Sequence, residues 1–196
     1  MIAEKEAIDY PGRGRAHCPV LTTERLIMGA PKMEDAAQLA ALADNIKVAA
    51  MMTGMPYPYS KGDAETFIRR MAEPERAGCT YVLTLSQTGA VLGCAGLSFD
   101  RDKKLQLGFW LGEPHWGRGY ATEAAHALVD LAFNTLELER LHTRCRVSNS
   151  PSRRVIEKCG FQFTGIGLLS SIAAGQFSAE HFTLERRVWA SLKGWR

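Results

Sequence analysis

The sequence of 196 residues contains no apolar run close to the roughly 20 residues that a membrane-spanning helix needs. Its first residues, MIAEKEAIDYPGRGRAH, lack the apolar core of a secretory signal peptide. The net charge is only +3, without the strong basic bias that is typical of nucleic-acid-binding proteins. These absences predict a cytoplasmic protein that binds neither membranes nor nucleic acid.

The cysteines follow no pattern that would indicate a metal site or a disulfide framework. They occur singly, with no C-x-x-C pair and no histidine at metal-ligand spacing: Cys18, Cys79, Cys94, Cys145 and Cys159. An odd and dispersed set is typical of reduced thiols, most of them buried as small apolar side chains. We therefore expect no metal.

The most informative stretch is residues 105–122, which read LQLGFWLGEPHWGRGYAT. A strand-like segment leads through a glycine-bearing turn, residues 116–121, into a helical pattern that begins near Thr122. Glycines let the backbone approach a ligand, and the free N–H groups and dipole of a helix start attract anions. No Lys-Ser or Lys-Thr follows, and the third glycine of a dinucleotide fingerprint is missing. Taken alone, the turn fits a phosphate cradle and an empty tight turn equally well.

The rest of the chain alternates strand-like and helix-like segments, which predicts an α/β layered fold. We expect a flexible arm over residues 1–19 and a single domain over residues 20–196. Residues 51–59, rich in Met, Tyr and Pro, are expected to form a loop that either packs on the core or lines a substrate pocket. Strands are expected at 21–28, 81–85, 91–97, 105–111, 140–147, 161–172 and 177–189, and helices at 31–45, 63–71, 122–134 and 152–158.

One predicted strand, residues 140–147, has a basic face. Arg140, His142, Arg144 and Arg146 alternate with apolar or small residues along it. This face either lines an anion site or is solvated and paired with carboxylates.

Four pieces of the sequence, in this order, resemble the GNAT superfamily of acyl-coenzyme A-dependent N-acyltransferases. They are Thr23-Glu24-Arg25-Leu26, Gly108-Phe109-Trp110-Leu111, residues 116–124 (WGRGYATEA), and residues 149–161 from Asn149-Ser150-Pro151-Ser152 to the Gly-Phe pair. Within the superfamily the chain is similar to the branch that includes ribosomal-protein N-terminal (alanine) acetyltransferases. The resemblance spans about residues 21–189. It implies a mixed, mostly antiparallel central sheet of about six or seven strands with helices on both faces.

The resemblance also implies acetyl-CoA as co-substrate. The family motif has Arg or Gln first, where this chain has Trp116, but backbone N–H groups rather than that side chain bind phosphate. The strands ending at Leu111 and Val147 are expected to splay, with the pantetheine arm between them and backbone hydrogen bonds from about Trp110 and Leu111. The implied coenzyme-binding residues are Trp110, Leu111, Trp116, Gly117, Arg118, Gly119, Tyr120, Ala121, Thr122, Asn149 and Ser152.

The implied reaction is direct attack of a primary amine on the thioester of acetyl-CoA. The amine belongs to a protein N-terminus or to a small molecule. Ser152 matches the position of a general acid in related enzymes. Many relatives carry a glutamate base on the central strand, where this chain has Gln106, so a relayed water, Glu113, another pocket residue or no base remain open. The alternative function is an acyl-CoA-binding module with weak or no turnover. A monomer or a homodimer is expected.

Overall fold

The computed structural model describes residues 7–9, 15–73, 78–100 and 102–193. The strands are β1 (Ala7–Asp9), β2 (Arg15–His17), β3 (Leu21–Thr22), β4 (Leu26–Gly29), β5 (Gly78–Leu85), β6 (Val91–Phe99), β7 (Leu105–Leu111), β8 (Arg140–Arg146), β9 (Gln162–Ser171) and β10 (Gly175–Glu185). The α-helices are α1 (Ala36–Ala43), α2 (Ile46–Ala49), α3 (Lys61–Met71), α4 (Tyr120–Asp130), α5 (Ser150–Lys158) and α6 (Arg186–Lys193). Short 3₁₀ turns cover Met33–Asp35 and Glu113–His115, and a π-helical turn, Leu131–Thr135, extends α4.

The central sheet has eight strands in the order β3-β4-β5-β6-β7-β8-β10-β9. Neighbouring strands are antiparallel, except that β7 and β8 are parallel. This confirms the expected mixed, mostly antiparallel sheet, with eight strands instead of six or seven. Strands β1 and β2 form a separate antiparallel pair.

The prediction of one strand over residues 21–28 is wrong, because the segment turns back on itself. Leu21 pairs with Met28 across the antiparallel strands β3 and β4. The Thr23 hydroxyl oxygen accepts a hydrogen bond from the N–H of Leu26 at 3.1 Å, and the Thr23 N–H donates to the Leu26 carbonyl at 2.9 Å. Such local bonds compete with an extended ladder and close the turn.

The predicted last strand, residues 177–189, is too long, since β10 ends at Glu185 and α6 follows. Arg186 donates from Nε to the carbonyl of Leu138 at 3.0 Å, and Trp189 stacks on Phe133 with ring centroids 5.2 Å apart. The indole N–H of Trp189 also donates to Asp130 at 2.9 Å. These contacts with α4 and the chain after it override the local strand pattern.

Helices cover both faces of the sheet, as expected. Helices α1 and α3 pack on one face, against Val82, Val91 and Cys94. The larger core lies on the other face, where α4 and α5 cover residues that include Leu97 and Leu107. Side chains alternate between the faces along each strand, so Gln106 and Trp110 lie on the α1/α3 face.

Two of the cysteines correct the expectation of reduced thiols. The sulfurs of Cys18 and Cys79 are bonded as a disulfide, with their Cα atoms 5.8 Å apart. The pairing joins positions 61 residues apart in sequence, which spacing alone does not reveal. Cys94, Cys145 and Cys159 are buried and form no disulfide, as expected. Much of the predicted arm, residues 1–19, lies outside the described residues, so the division into an arm and a single domain stays a prediction.

Candidate coenzyme site

Strands β7 and β8 open into a gap along most of their length. They pair only at Gln106 with His142 and at Leu107 with Thr143, where the Thr143 hydroxyl donates to the Leu107 carbonyl at 2.9 Å. Beyond this apex the strands diverge, as the family resemblance implied. The gap therefore leaves the edge of β7 free to hydrogen-bond to a ligand.

The backbone direction of β7 decides which residues can face that gap. The N–H of Gly112 donates to the Leu92 carbonyl at 2.9 Å on the β6 side, and the Leu107 carbonyl points to β8. Alternate residues of a strand direct their backbone N–H and C=O groups to opposite sides. The backbone groups of Phe109 and Leu111 therefore point into the gap, and those of Trp110 point to β6. The expected hydrogen bonds to the coenzyme from about Trp110 and Leu111 stay a prediction, and this geometry favours Phe109 and Leu111 over Trp110 as the residues that make them.

The glycine turn leads directly from the gap into α4. Gly117 and Gly119 have φ of 74° and 82°, a left-handed conformation that residues with a side chain rarely adopt. Helix α4 begins at Tyr120, two residues before the expected start. Within the described ranges, no group accepts a hydrogen bond from the N–H groups of residues 117–122. A row of free donors at a helix start is the arrangement that binds phosphate groups.

Trp116, the departure from the family motif, braces this turn. Its indole N–H donates to the Leu111 carbonyl at 2.7 Å, although 43% of the residue's surface is exposed. The side chain therefore holds the turn against the end of β7 and leaves the backbone donors free.

A clamp behind the turn consists of Thr23, Arg25 and Glu123. The Thr23 hydroxyl and the Arg25 N–H donate to Oε1 of Glu123 at 2.5 and 2.8 Å. Nε and Nη2 of Arg25 lie 2.7 and 2.6 Å from Oε2. From Nη1, Arg25 also donates to the Arg118 carbonyl at 2.9 Å, inside the turn. The clamp thus joins the β3–β4 turn to the glycine turn.

The clamp also stabilises the ionised form of Glu123. Partial burial acts to raise the pKa of Glu123, but the hydrogen bonds from Thr23 and Arg25 and the guanidinium charge outweigh it and lower the pKa. Sequence analysis gave Glu123 no role beyond its place in the family-like piece 116–124. The available signal was that Arg25 and Glu123, which carry opposite charges, lie in two different family-like pieces.

Glu113, an open candidate for the base, is committed elsewhere. It accepts hydrogen bonds from Lys47 Nζ at 2.5 Å and from Asn45 Nδ2 at 2.7 Å. These bonds, first that from Lys47, lower the pKa of Glu113, so its carboxylate is a weak proton acceptor. Gln106 donates to Asp100 at 2.8 Å.

Comparison with known proteins decides the family. The model for the acetyltransferase (GNAT) domain matches residues 25–162, more than half of the chain. The chain belongs to the GNAT acetyltransferase family. It is an acyl-CoA-dependent N-acetyltransferase that uses acetyl-CoA as co-substrate.

Among its relatives, the chain is 27% identical to the uncharacterized N-acetyltransferase p20 of Bacillus licheniformis, over 74% of this chain and 84% of that protein. It is 36% identical over 73 residues to the ribosomal-protein-serine acetyltransferase of Escherichia coli, over 35% of this chain and 41% of that protein. The ribosomal-protein-S5-alanine acetyltransferase of Vibrio fischeri has the same fold, with a TM-score of 0.73 at 16% identity over 88% of this chain and 99% of that one.

In this GNAT chain, Asn149 and Ser152 start α5 just after β8. Asn149 Oδ1 accepts a hydrogen bond from the Ser152 N–H at 3.1 Å and caps the helix. Ser152 is partly buried, and in the described part of the chain its hydroxyl has no hydrogen-bond partner. Ser152 is therefore free to donate its hydroxyl proton to a ligand.

The loop of residues 51–59 packs on the core at the α1/α3 face, and its role as the wall of a substrate pocket stays a prediction. Met55 is buried in a cluster with Val48 and Ala49, and the side chains that pack against this cluster are partly buried: Met52, Tyr59, Trp110 and Ala173. Burial raises the pKa of Tyr59 to about 12, so its phenol stays protonated at neutral pH. Next to Trp110, a Cβ on Gly108 would meet no atom within 4 Å, so this face of β7 is open.

A cavity of about 820 Å³ lies elsewhere, at the end of β7 and β8 away from the glycine turn. Its lining, which includes Lys104, Leu138 and Arg187, contains none of the coenzyme-site residues. This cavity lacks the row of free backbone N–H groups, so the gap between β7 and β8 is the better candidate for the coenzyme site. The described residues contain neither a cluster of His, Cys, Asp and Glu that could hold a metal ion nor a helix suited to crossing a membrane.

Proposed function

We propose that the protein transfers the acetyl group of acetyl-CoA to a primary amine by direct attack of the amine on the thioester. The observation that carries this proposal is the row of free N–H groups over residues 117–122, which opens onto the gap between β7 and β8. The coenzyme supplies an acetyl group activated as a thioester. The residues of the chain bind, orient and exchange protons.

The turn and the gap divide the coenzyme between them in this proposal. The N–H groups of residues 117–122 hold the pyrophosphate, with Arg118 as a nearby exposed cation. Phe109 and Leu111 offer backbone groups to the pantetheine arm, and the Asn149 side chain holds the same arm. The clamp of Thr23, Arg25 and Glu123 keeps the turn in its binding conformation.

The chemical step forms the N–C bond of the amide and breaks the C–S bond of the thioester. The N–H of Leu111 polarises the acetyl carbonyl. The Ser152 hydroxyl donates a proton to the departing sulfur and regains one from water. The amine releases its proton to water, because Gln106 cannot accept one and Glu113 is held by Lys47.

A second function, an acyl-CoA-binding module with weak or no turnover, is favoured by Gln106 alone. The two functions differ in one observable. An enzyme releases free thiol from acetyl-CoA only when an acceptor amine is present, whereas a module binds acetyl-CoA without amine-dependent release. Thiol release across a panel of amines, with acetyl-CoA affinity measured on the same preparation, separates them.

The cradle itself is tested with Gly119→Glu. This change places bulk and negative charge beside the free donors, so we expect it to abolish acetyl-CoA binding in calorimetry. Gly89→Glu is the matched control, since Gly89 has a similar φ of 72°, has no atom within 4 Å of an added Cβ, and lies in the β5–β6 turn. If both variants bind acetyl-CoA like the parent protein, the cradle assignment is wrong.

For the cellular setting we propose the cytoplasm, supported by the three cysteines that form no disulfide and opposed by the Cys18–Cys79 disulfide. Thiol counting on freshly lysed cells tests it: five reactive thiols in denaturant support the cytoplasm, and three support an oxidising compartment. The monomer or homodimer expected from the sequence stays a prediction, for which light scattering is the direct measurement.

A further inference from the structure

Strand β8 has a row of basic side chains on the α1/α3 face of the sheet. His142, Arg144 and Arg146 alternate along β8 with Leu141, Thr143 and Cys145, which are buried on the α4/α5 face. The basic residues therefore lie on the α1/α3 face, the same face as Gln106, which pairs with His142. On β10, His181 lies opposite Arg144 and Ala179 opposite Arg146.

Arg146, a member of this row, has two buried nitrogen atoms without a hydrogen-bond partner in the described part of the chain. Its Nε and Nη2 atoms are shielded from solvent and, within the described ranges, have no hydrogen-bond acceptor. Its recorded contact is with the face of Phe177, 4.1 Å from the ring centroid. A buried guanidinium edge normally faces a carboxylate or phosphate, because leaving its donors unpaired is costly.

The nearby carboxylates do not serve Arg146. Glu180 lies on the opposite face of β10, where its Oε1 is 2.8 Å from Arg153 Nη1. Asp100 accepts hydrogen bonds from Gln106 and from the backbone of the β6–β7 turn. The burial of His181 and the positive charge of Arg144 lower the pKa of His181, which agrees with a face that has excess positive charge.

A second unpaired polar group lies farther along the same face. Ser171 is 5% exposed and its hydroxyl has no partner among the described residues. It lies opposite Gly175, two residues from Phe177, and so shares the face of Arg146. Just after it, the Ile172 N–H donates to the Thr53 carbonyl at 3.1 Å, which closes the β9–β10 hairpin over the 51–59 loop. Two side chains on this face, Arg146 and Ser171, thus have buried polar atoms without a hydrogen-bond partner among the described residues.

We propose that the acceptor amine carries an anionic group, a carboxylate or a phosphate, which binds the Nε/Nη2 edge of Arg146. This inference rests on the proposed acetyl transfer and narrows its substrate class. Small amino acids and phosphorylated amines fit, because a planar guanidinium binds two anionic oxygens at once. Polyamines and aminoglycosides do not fit, because their charges repel Arg144 and Arg146.

The test compares acceptors that differ in the anion. Thiol release is measured with O-phosphoethanolamine, β-alanine, ethanolamine and spermidine at saturating acetyl-CoA. We expect kcat/KM to be about tenfold or more higher for an anionic amine than for ethanolamine, the size of one charge-assisted pair. Whether O-phosphoethanolamine or β-alanine is preferred distinguishes phosphate from carboxylate. Equal rates for all four amines, or a preference for spermidine, would overturn the proposal.

Arg146→Gln supplies the residue-level test, and Arg187→Gln is the control, since the Arg187 side chain is 84% exposed at the far end of β10. We expect Arg146→Gln to raise KM for the anionic amine about tenfold while KM for acetyl-CoA and the rate with ethanolamine stay unchanged. Nε and Nη2 of Arg146 have no acceptor among the described residues, so the variant loses only the contact of the guanidinium with Phe177 and should unfold close to the temperature of the parent protein. Lower stability with unchanged amine selectivity would show a structural role instead.

Failure of the transfer reaction is kept apart from failure of this inference by a binding measurement. O-phosphoethanolamine and ethanolamine are titrated into the protein saturated with coenzyme A. Binding of the phosphorylated amine that Arg146→Gln abolishes supports the anion site even if no amine is acetylated. Acetylation of amines without this selectivity supports the transfer and refutes the site.

Discussion

Arg25→Met is the most direct single test of whether the clamp of Thr23, Arg25 and Glu123 stabilises the glycine turn. The change removes the hydrogen bonds from Nε and Nη2 to Glu123 and from Nη1 to the Arg118 carbonyl, but keeps most of the aliphatic stem. Buried charge-assisted bonds contribute about 1.5–3 kcal/mol each, but the Arg25 side chain is 41% exposed. Solvent screening reduces the expected loss to about 1–2 kcal/mol in total.

Most of that loss should appear as weaker coenzyme binding, because the clamp orders the turn that carries the donors. A loss of about 1–2 kcal/mol corresponds to a Kd for acetyl-CoA that is about 5–30-fold higher. Calorimetry measures the Kd, and urea unfolding measures the part of the loss that falls on the fold.

Arg69→Met is the matched control, since Arg69 makes a comparable exposed ion pair with Glu65 at 3.2 Å on α3. It should leave the Kd for acetyl-CoA unchanged. Glu123→Gln, alone and combined with Arg25→Met, completes a double-mutant cycle, and we expect the two losses to be non-additive. A Kd for Arg25→Met within about twofold of the parent value would refute the clamp.

Three further outcomes are expected. Trp116→Phe removes the indole hydrogen bond to β7 and should raise the acetyl-CoA Kd about fivefold, the equivalent of about 1 kcal/mol. The control Trp189→Phe loses a similar hydrogen bond at α6 and should leave that Kd unchanged. Calorimetry on both variants shows whether the Trp116 hydrogen bond itself supports coenzyme binding. The pKa of Glu123 is depressed in the folded protein, so the stability that its clamp contributes is present above pH 4.5, the ordinary pKa of a glutamate, and is lost as the pH falls through the pKa of the folded state. Urea unfolding at pH 3–5 should therefore show a decrease in the free energy of unfolding that Glu123→Gln lacks. Phe182→Ala, at a residue 2% exposed, should lower the free energy of unfolding by about 3–5 kcal/mol, and a loss below about 1 kcal/mol would mean that this part of the core repacks.

The predictions that succeeded rest on local pattern. Strands β5 and β6, helices α3 and α5, and the strand–turn–helix around Gly119 follow from the periodicity and turn residues that those segments carry themselves. The family resemblance added the mixed, mostly antiparallel sheet and the splay of β7 from β8.

The predictions that failed depend on residues far away in sequence. Residues 21–28 alternate like one strand, and only the contacts of the Thr23 turn, including that with Glu123, show why the chain reverses there. Residues 186–189 were expected to end a strand, but Trp189 stacks on Phe133 and they begin helix α6 instead. The disulfide of Cys18 and Cys79 likewise joins distant segments.

The sequence by itself determined the family, the coenzyme and the position of the glycine turn, because glycines, helix starts and periodicity act within a few residues. Only the tertiary structure decided which backbone groups point into the gap, what holds the glycine turn, and that two buried nitrogen atoms of Arg146 lack an acceptor among the described residues. These properties depend on side chains that meet across strands, such as Arg25 with Glu123 and Arg146 with Phe177. The sequence shows where each arginine is, but the contacts of its guanidinium group are visible only in the fold.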